Sequence, residues 1–459
     1  MTPFGWAAIA RLGLVQMALG AIVVLTTSTL NRVMVVELAL PALLPGVLVA
    51  LHYAVQVARP RMGFGSDVGG RRTPWIVGGM LVLAAGGVLA AVATVWMASH
   101  PGAGMVLAVL AFAMVGLGVS AAGTSLLVLL AKRVPEGRRA GAATLVWMMM
   151  IAGFAVTAGL AGHWLDPYSP ARLLLVSSCV SLLAVLLALV ALRGLEGDVD
   201  LRAAADSATP EKPRFREALA QVWQEPVARR FTVFVFVSML AYSAQDLILE
   251  PFAGTVFAYT PGESTQLSGV QHGGVLAGML LVALAGAVGA RFQRHALLRH
   301  VGSLRGWTIG GCLASALALF ALMFAGLQGA GWPLNATVFA LGVANGAFSI
   351  GAIGSMMRLA AEGRRAREGV RMGLWGAAQA VAFGLGGLVG TGASDLARWL
   401  IAAPGAAYAM VFALQALAFL LSAALAWRLA APVARAAPLH AFQRPGESFA
   451  TGTSPRPQS

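Results

Sequence analysis

Charge is scarce in this chain. Asp, Glu, Lys and Arg make up 11% of its 459 residues, against roughly a quarter in soluble proteins. That excludes a soluble two-domain protein, which needs far more polar surface. Cysteine is rarer still. Cys179 and Cys312 lie within apolar segments, with neither disulfide nor metal-ligand spacing around them, and both read as small core residues. No Ser/His/Asp set, phosphate loop or Cys/His cluster stands out, so the sequence displays no catalytic apparatus.

Apolar runs of about 20 residues, the length that crosses a bilayer as a helix, recur along nearly the whole chain. The reading is an all-α polytopic membrane protein with twelve spans. They fall at 9–30, 41–59, 74–98, 103–131, 141–163, 172–192, 230–256, 266–290, 304–327, 333–358, 370–393 and 404–429. The stretch after Arg11 lacks a small-residue cleavage site and reads as a retained first span. The 55 glycines suit close helix packing in a membrane. The net charge of +14 does not point to nucleic acid. Basic residues cluster in alternate gaps, among them Arg59, Arg61, Arg71, Arg72, Lys132, Arg133, Arg138 and Arg139, while Arg32, Arg172 and Arg398 stand on the opposite side. That bias predicts a multi-pass protein with both termini cytoplasmic.

The chain divides into a six-helix bundle over 1–193, a cytoplasmic linker over 194–228, a second bundle over 229–430 and a disordered cytoplasmic tail over 431–459. In the linker, Phe215, Leu219, Val222 and Trp223 share one helical face, as in an amphipathic helix on the membrane surface; a solvated linker helix is the alternative. "EGRRAGAATLVW" from Glu136 and "EGRRAREGVRMGLW" from Glu362 follow the fourth and tenth spans. A shared motif at the same place in each half marks a parallel six-span repeat, the plan of many secondary transporters.

Three groups of residues are candidates for function. "GFGSDVGGRRTPW" between the second and third spans carries Gly63, Asp67, Gly70, Arg71 and Arg72. Its glycines permit a tight turn, and its aspartate suits a helix start or an arginine. The loop resembles the signature loop of the major facilitator superfamily, which implies a conformational role; a topology-fixing turn is the plainer reading. Asn31, Arg32 and Glu37 near the outer end of the first span correspond to Gln245, Asp246 and Glu250 in the seventh. Charges there are costly unless paired or facing a cavity, so these six are expected to gather between the halves, the alternative being ordinary headgroup-level positions. His52 and His272 lie inside the second and eighth spans. A neutral imidazole there can bond a neighbouring helix, carry protons or ligate the metal of a tetrapyrrole.

Together, "TTSTLNRVMVVELALPA", "LHYAVQVARPRMGFGSDVGGRRTPWIVGG" and "AYSAQDLILEPFAG" resemble the PucC family, a branch of the major facilitator superfamily in photosynthetic bacteria. The resemblance covers nearly the whole membrane region, and "SDVGGRRTPW" and "LNRVMVVEL" are most similar to a branch labelled a bacteriochlorophyll synthase subunit. It implies twelve helices in two six-helix pseudo-repeats, set in the bacterial inner (intracytoplasmic) membrane. It also implies a factor that handles bacteriochlorophyll or a precursor, as bound cargo, during assembly of photosynthetic complexes. Light-harvesting polypeptides or bacteriochlorophyll synthase are then its partners, and His52 and His272 its possible pigment contacts. Synthase activity itself is not expected, because no DxxxD-type pair for a metal diphosphate occurs outside the linker. The alternative function is a proton-coupled transporter of a small amphipathic molecule, with Glu37, Asp246 and Glu250 as coupling groups.

Overall fold

The computed structural model describes residues 4–56, 71–196, 223–291, 303–362 and 368–429. Among them the chain forms twelve helices running end to end and no strand. They are α1 (Trp6–Glu37), α2 (Leu43–Val55), α3 (Thr73–Met97), α4 (Pro101–Arg133), α5 (Glu136–Leu165), α6 (Pro170–Leu192), α7 (Pro226–Phe257, interrupted after Asp246), α8 (Pro261–Arg291), α9 (Leu304–Gln328), α10 (Leu334–Glu362), α11 (Glu368–Leu400) and α12 (Pro404–Leu429). Eleven are long and apolar enough to cross a bilayer, and α2 is a shorter apolar helix. The expected end of the second span runs into 57–70, which lies outside the described residues. So do the tail from 430, most of the signature loop, and the linker apart from its first and last few residues.

The helix starts are written locally. Proline opens α3, α4, α6 and α7, where its missing N–H costs nothing. Ser169 and Ser303 cap α6 and α9 by accepting the N–H groups of Arg172 and Gly306. Two helices end well past the spans read from hydropathy: α1 continues from 30 to Glu37 and α11 from 393 to Leu400. Both extensions begin at polar residues, Asn31–Arg32 and Ser394–Asp395, which a hydropathy count treats as the membrane edge. The backbone stays helical there because the side chains find partners on other helices.

The same packing occurs twice. In the first half α1 lies against α5 and α6, α3 against α4 and α6, and α2 against α4; α7 to α12 repeat each pairing in the second half. The halves meet along two equivalent seams, α5 with α8 and α2 with α11. Helices approach until backbones touch: a Cβ on Gly278 of α8 would strike the Val343 carbonyl of α10. The outer surface is apolar, with Val106, Leu175, Val190 and Leu317 exposed. Cys179 belongs to that surface, which corrects its reading as a core residue; Cys312 alone of the pair is buried. An apolar outer face and an apolar core look alike in composition when the solvent is lipid. Exposed tryptophans mark both ends, Trp96, Trp164 and Trp399 at one and Trp6, Trp223 and Trp427 at the other, as in interfacial aromatic belts. The second end also carries Arg71, Lys132 and Arg193; it is called the basic end below, and the opposite one the far end.

At the basic end, Glu196 ties the first half together. Its carboxylate accepts the N–H groups of Arg72 (2.6 Å) and Thr73 (2.8 Å) and the Thr73 hydroxyl (2.6 Å). Its carbonyl accepts Arg133 (2.8 Å). An anion thus sits on the open N-terminus of α3. Burial pushes the Glu196 carboxyl up, but the Thr73 hydroxyl and the two amides outweigh it, so the group titrates below the usual glutamate range. At the far end, α1 and α7 close alike. Ala39 (φ 51°) and Ala258 (φ 56°) are left-handed, while Leu40 N–H reaches the Met34 carbonyl and Tyr259 N–H the Ala253 carbonyl. Both helices thus end in a left-handed residue closed by a bond one residue wider than a Schellman motif, with alanine where glycine is preferred.

Two outcomes follow from these termini. Ala258→Gly should raise stability by about 0.5–1 kcal/mol by relieving the left-handed alanine; a lower unfolding midpoint in detergent would contradict this. Glu196→Gln should cost about 1–3 kcal/mol at neutral pH. A folded-state pKa below the unfolded one stabilises above the unfolded value, and the benefit disappears as pH falls through the folded value. Melting curves of the two proteins should therefore converge in acid and separate near neutrality.

Candidate functional site at the far-end junction of the halves

Pro251 shapes α7. A proline inside a helix removes one hydrogen bond and clashes with the carbonyl four residues back, here that of Leu247, and α7 breaks at Leu247–Ile248. The stranded Leu247 carbonyl accepts Asn31 Nδ2 of α1 at 2.6 Å. At the same level α1 is wound into two π-helical turns, Leu25–Thr29 and Val33–Glu37. The hydroxyls of Thr26 and Thr27 bond back to the carbonyls of Ile22 and Val23 beside the first of them. Repeat-equivalent helices are thus both irregular where they face each other, as in transporters whose broken helices line a cavity.

Around this crossing the expected residues assemble in part. Arg32, 2% exposed, donates from Nη2 to the Tyr259 carbonyl at 2.6 Å and from Nε to Ser264 Oγ at 3.4 Å, and pairs through Nη1 with Glu37. Its guanidinium therefore lies at the C-terminus of α7, where a cation is favoured. Space for it comes from Gly254, whose Cβ would stand 2.9 Å from Arg32 Nη2. Glu250 is buried and accepts the Ser28 hydroxyl, and Ser28 Oγ lies 3.1 Å from Ser268 Oγ on α8. Thr29 and Thr265 hydroxyls meet at 3.0 Å. Asp246, half-buried, accepts Gln271 Nε2 at 3.3 Å. Gln245 is fully buried, and among the described residues its amide has no hydrogen-bond partner in the cluster.

The histidines separate. His52 is 2% exposed, with its Nε2 at 2.9 Å from the Gln56 amide, and its backbone packs against Gly116 of α4. His272 faces the α5–α8 seam. Its Nδ1 donates to the Ser268 carbonyl at 2.8 Å, and its ring stands edge-on to Phe154 of α5 at 5.0 Å. No hydrogen bond to Nε2 is present among the described residues, so the arrangement fixes the tautomer and offers a lone pair. Across the other seam Tyr53 of α2, Phe383 of α11 and Tyr242 of α7 form a chain of rings at 5.6 and 5.9 Å. The signature loop lies outside the described residues at Gly63, Asp67 and Gly70. Of its arginines, Arg72 is buried against the first half and Arg71 is exposed.

Two carboxylates that sequence reasoning missed take part as well. Asp395 of α11 accepts the N–H groups of Ala42 (2.9 Å) and Leu43 (2.7 Å) at the start of α2. Asp166, after α5, accepts the Thr260 hydroxyl (2.9 Å) at the start of α8. The pseudo-repeat maps one contact onto the other, so each half holds a helix start of its partner. Their flanks, "GASDLARW" and "HWLDPYS", carry no pattern that distinguishes them from loop residues. With the Asn31, Arg32, Ser28 and Thr29 contacts, these clasps join the halves at the far end. Among the described residues, no group of three or more His, Cys, Asp and Glu gathers as a metal site. Asn31→Leu should bare the Leu247 carbonyl and cost about 1–2 kcal/mol; an unchanged unfolding midpoint would show that another donor replaces it.

Known proteins agree with this architecture. The PUCC protein family model matches residues 29–434. A Rhodobacter capsulatus protein named bacteriochlorophyll synthase 44.5 kDa chain is 55% identical over 92% of this chain and 95% of its own. Protein PucC of the same organism is 31% identical over 91% and 90%. Among solved structures, the peptide transporter POT in complex with sulfate overlays with a TM-score of 0.64 at 13% identity, covering 94% of this chain and 97% of that one. The nucleoside transporter NupG gives 0.63 at 14%, covering 92% and 99%. At such identities these two speak for the fold alone, which is that of the major facilitator superfamily. The chain is a membrane protein of the PucC family.

Proposed function

We propose that this protein binds bacteriochlorophyll or a precursor between its halves and passes it on during biogenesis of photosynthetic complexes, to light-harvesting polypeptides or to bacteriochlorophyll synthase. The observation that carries the reading is His272. An imidazole whose Nδ1–H is tied to a backbone carbonyl presents Nε2 as an oriented ligand, here half-buried at the seam and backed by Phe154. That is the donor an axial site on a tetrapyrrole metal needs. Tyr53, Phe383 and Tyr242 add ring faces on the opposite seam, suited to a planar macrocycle. His52 is the weaker contact, since Gln56 already occupies its Nε2.

The names of the relatives support the cargo, and the transporter-type fold supports handling rather than synthesis. The carboxylates in and around the membrane serve architecture: Glu196, Asp395 and Asp166 hold helix starts, and Glu250 bridges the halves. We read the chain as a non-enzymatic carrier in the bacterial inner membrane, with both termini and the basic end cytoplasmic, following the arginine bias. On that orientation the far-end junction is the periplasmic gate. It is closed here, and pigment enters and leaves from the basic end, to which Arg71 and Arg72 belong.

A second reading rests on Glu250. A carboxyl buried between Ser28 and Ser268 at the junction is suitably set to couple proton binding to gate opening. One experiment separates the two. Protein purified from a bacteriochlorophyll-producing host should retain pigment absorption through detergent washing. His272→Ala should lower the pigment-to-protein ratio on the order of tenfold or more, while His52→Ala leaves most of it. Colourless protein with flux driven by a pH gradient, abolished by Glu250→Gln, would replace the first reading with the second.

A further inference from the structure

An apolar furrow of about 430 Å³ runs between α3 and α4 on the outer surface, at the basic end. Trp75, Gly78, Gly79, Val82, Leu117 and Ala121 line it. Its form follows from small residues. Gly79 lets α3 close onto the Ala122 backbone of α4, while a Cβ on Gly78 would meet nothing within 4 Å. The helices therefore touch along one line and leave a channel beside it, walled by Trp75, Val82 and Leu117. A partner helix, 10–12 Å across with a 5.4 Å pitch, would fill such a volume with roughly a single turn. The space instead suits a hydrocarbon chain lying along the helices.

The mouth of the furrow is positively charged. Arg71 is exposed four residues before Trp75, and Lys132 is exposed at the end of α4. Among the described residues, the Glu196 carboxylate is buried and engaged with the α3 amides, so it does not neutralise the exposed guanidinium. Arginine pairs with phosphate through two parallel donors. We propose that the furrow is a binding site for an acidic phospholipid, with an acyl chain over Gly78 and the phosphate on Arg71. It is separate from the seams between the halves and independent of the pigment reading. It gives the exposed member of the arginine pair a ligand, whereas its neighbour Arg72 is buried.

The test uses the full-length protein, delipidated in detergent, with phosphatidylglycerol and phosphatidylcholine as probes. Bound lipid is counted by native mass spectrometry, and contact is read as quenching of Trp75 by brominated acyl chains, with Trp75→Phe as the blank. Native protein should prefer phosphatidylglycerol by about fivefold, the factor one arginine contributes near acidic lipid. Arg71→Gln should equalise the two lipids. Gly78→Leu, which has room to fold, should abolish quenching by both, and its unfolding midpoint checks that it has folded. Equal binding of both lipids by native protein would mean a furrow filled by bulk lipid and would overturn the proposal. So would undiminished quenching in Gly78→Leu, or displacement of the phospholipid by bacteriochlorophyll.

Discussion

The structure depends on a constraint peculiar to membranes: a backbone carbonyl that loses its helical partner has no water to turn to. Pro251 creates such a carbonyl at Leu247, and the donor that satisfies it, Asn31, belongs to the other half of the molecule. A local defect in one bundle thereby becomes a bond between bundles. Around it the same logic recurs. Arg32 of α1 completes the end of α7, Asp395 of α11 the start of α2, and Thr260 before α8 meets Asp166 of the first half. Helix termini are the unsatisfied parts of helices, and here the halves satisfy each other's.

This arrangement suits a moving part. Contacts made from hydrogen bonds to helix ends are each modest in a membrane, so under the proposed gating the junction would part without unpacking either bundle. The π-turns of α1 and the break in α7 put irregular backbone at that junction. The basic end is built differently. There Glu196 locks α3, α4 and the end of α6 within one half, making a rigid base. The contrast follows from which helices the bonds connect.

The pigment reading draws its force from the same seam. His272 and Ser268 stand one turn apart on α8. Ser268 holds the imidazole through its carbonyl while its hydroxyl faces Ser28, the donor to Glu250. The candidate ligand and the gate carboxyl therefore share a residue, which ties cargo and gate to one stretch of helix under either functional reading.

Much of this architecture is legible in the amino-acid sequence. Hydropathy marks twelve spans, and the "EGRRA" repeat and the arginine bias imply paired halves with one basic end, because lipid demands long apolar helices and leaves charge only in the gaps. The correspondence of Asn31, Arg32 and Glu37 with Gln245, Asp246 and Glu250 locates the junction. The sequence does not tell that Gln245 stays out of it, nor that Asp166 and Asp395 clasp the opposite half. A lone aspartate looks the same whether it faces solvent or another helix start. Nor does it separate His52 from His272, or assign Cys179 to the surface, since lipid-facing and core positions are equally apolar. Composition and spacing determined the helices and their repeat, because those depend on local chemistry and on the solvent. Which side chain completes which helix end was decided only by tertiary structure. Partners such as Asn31 and Leu247, 216 positions apart, meet only when the bundles close.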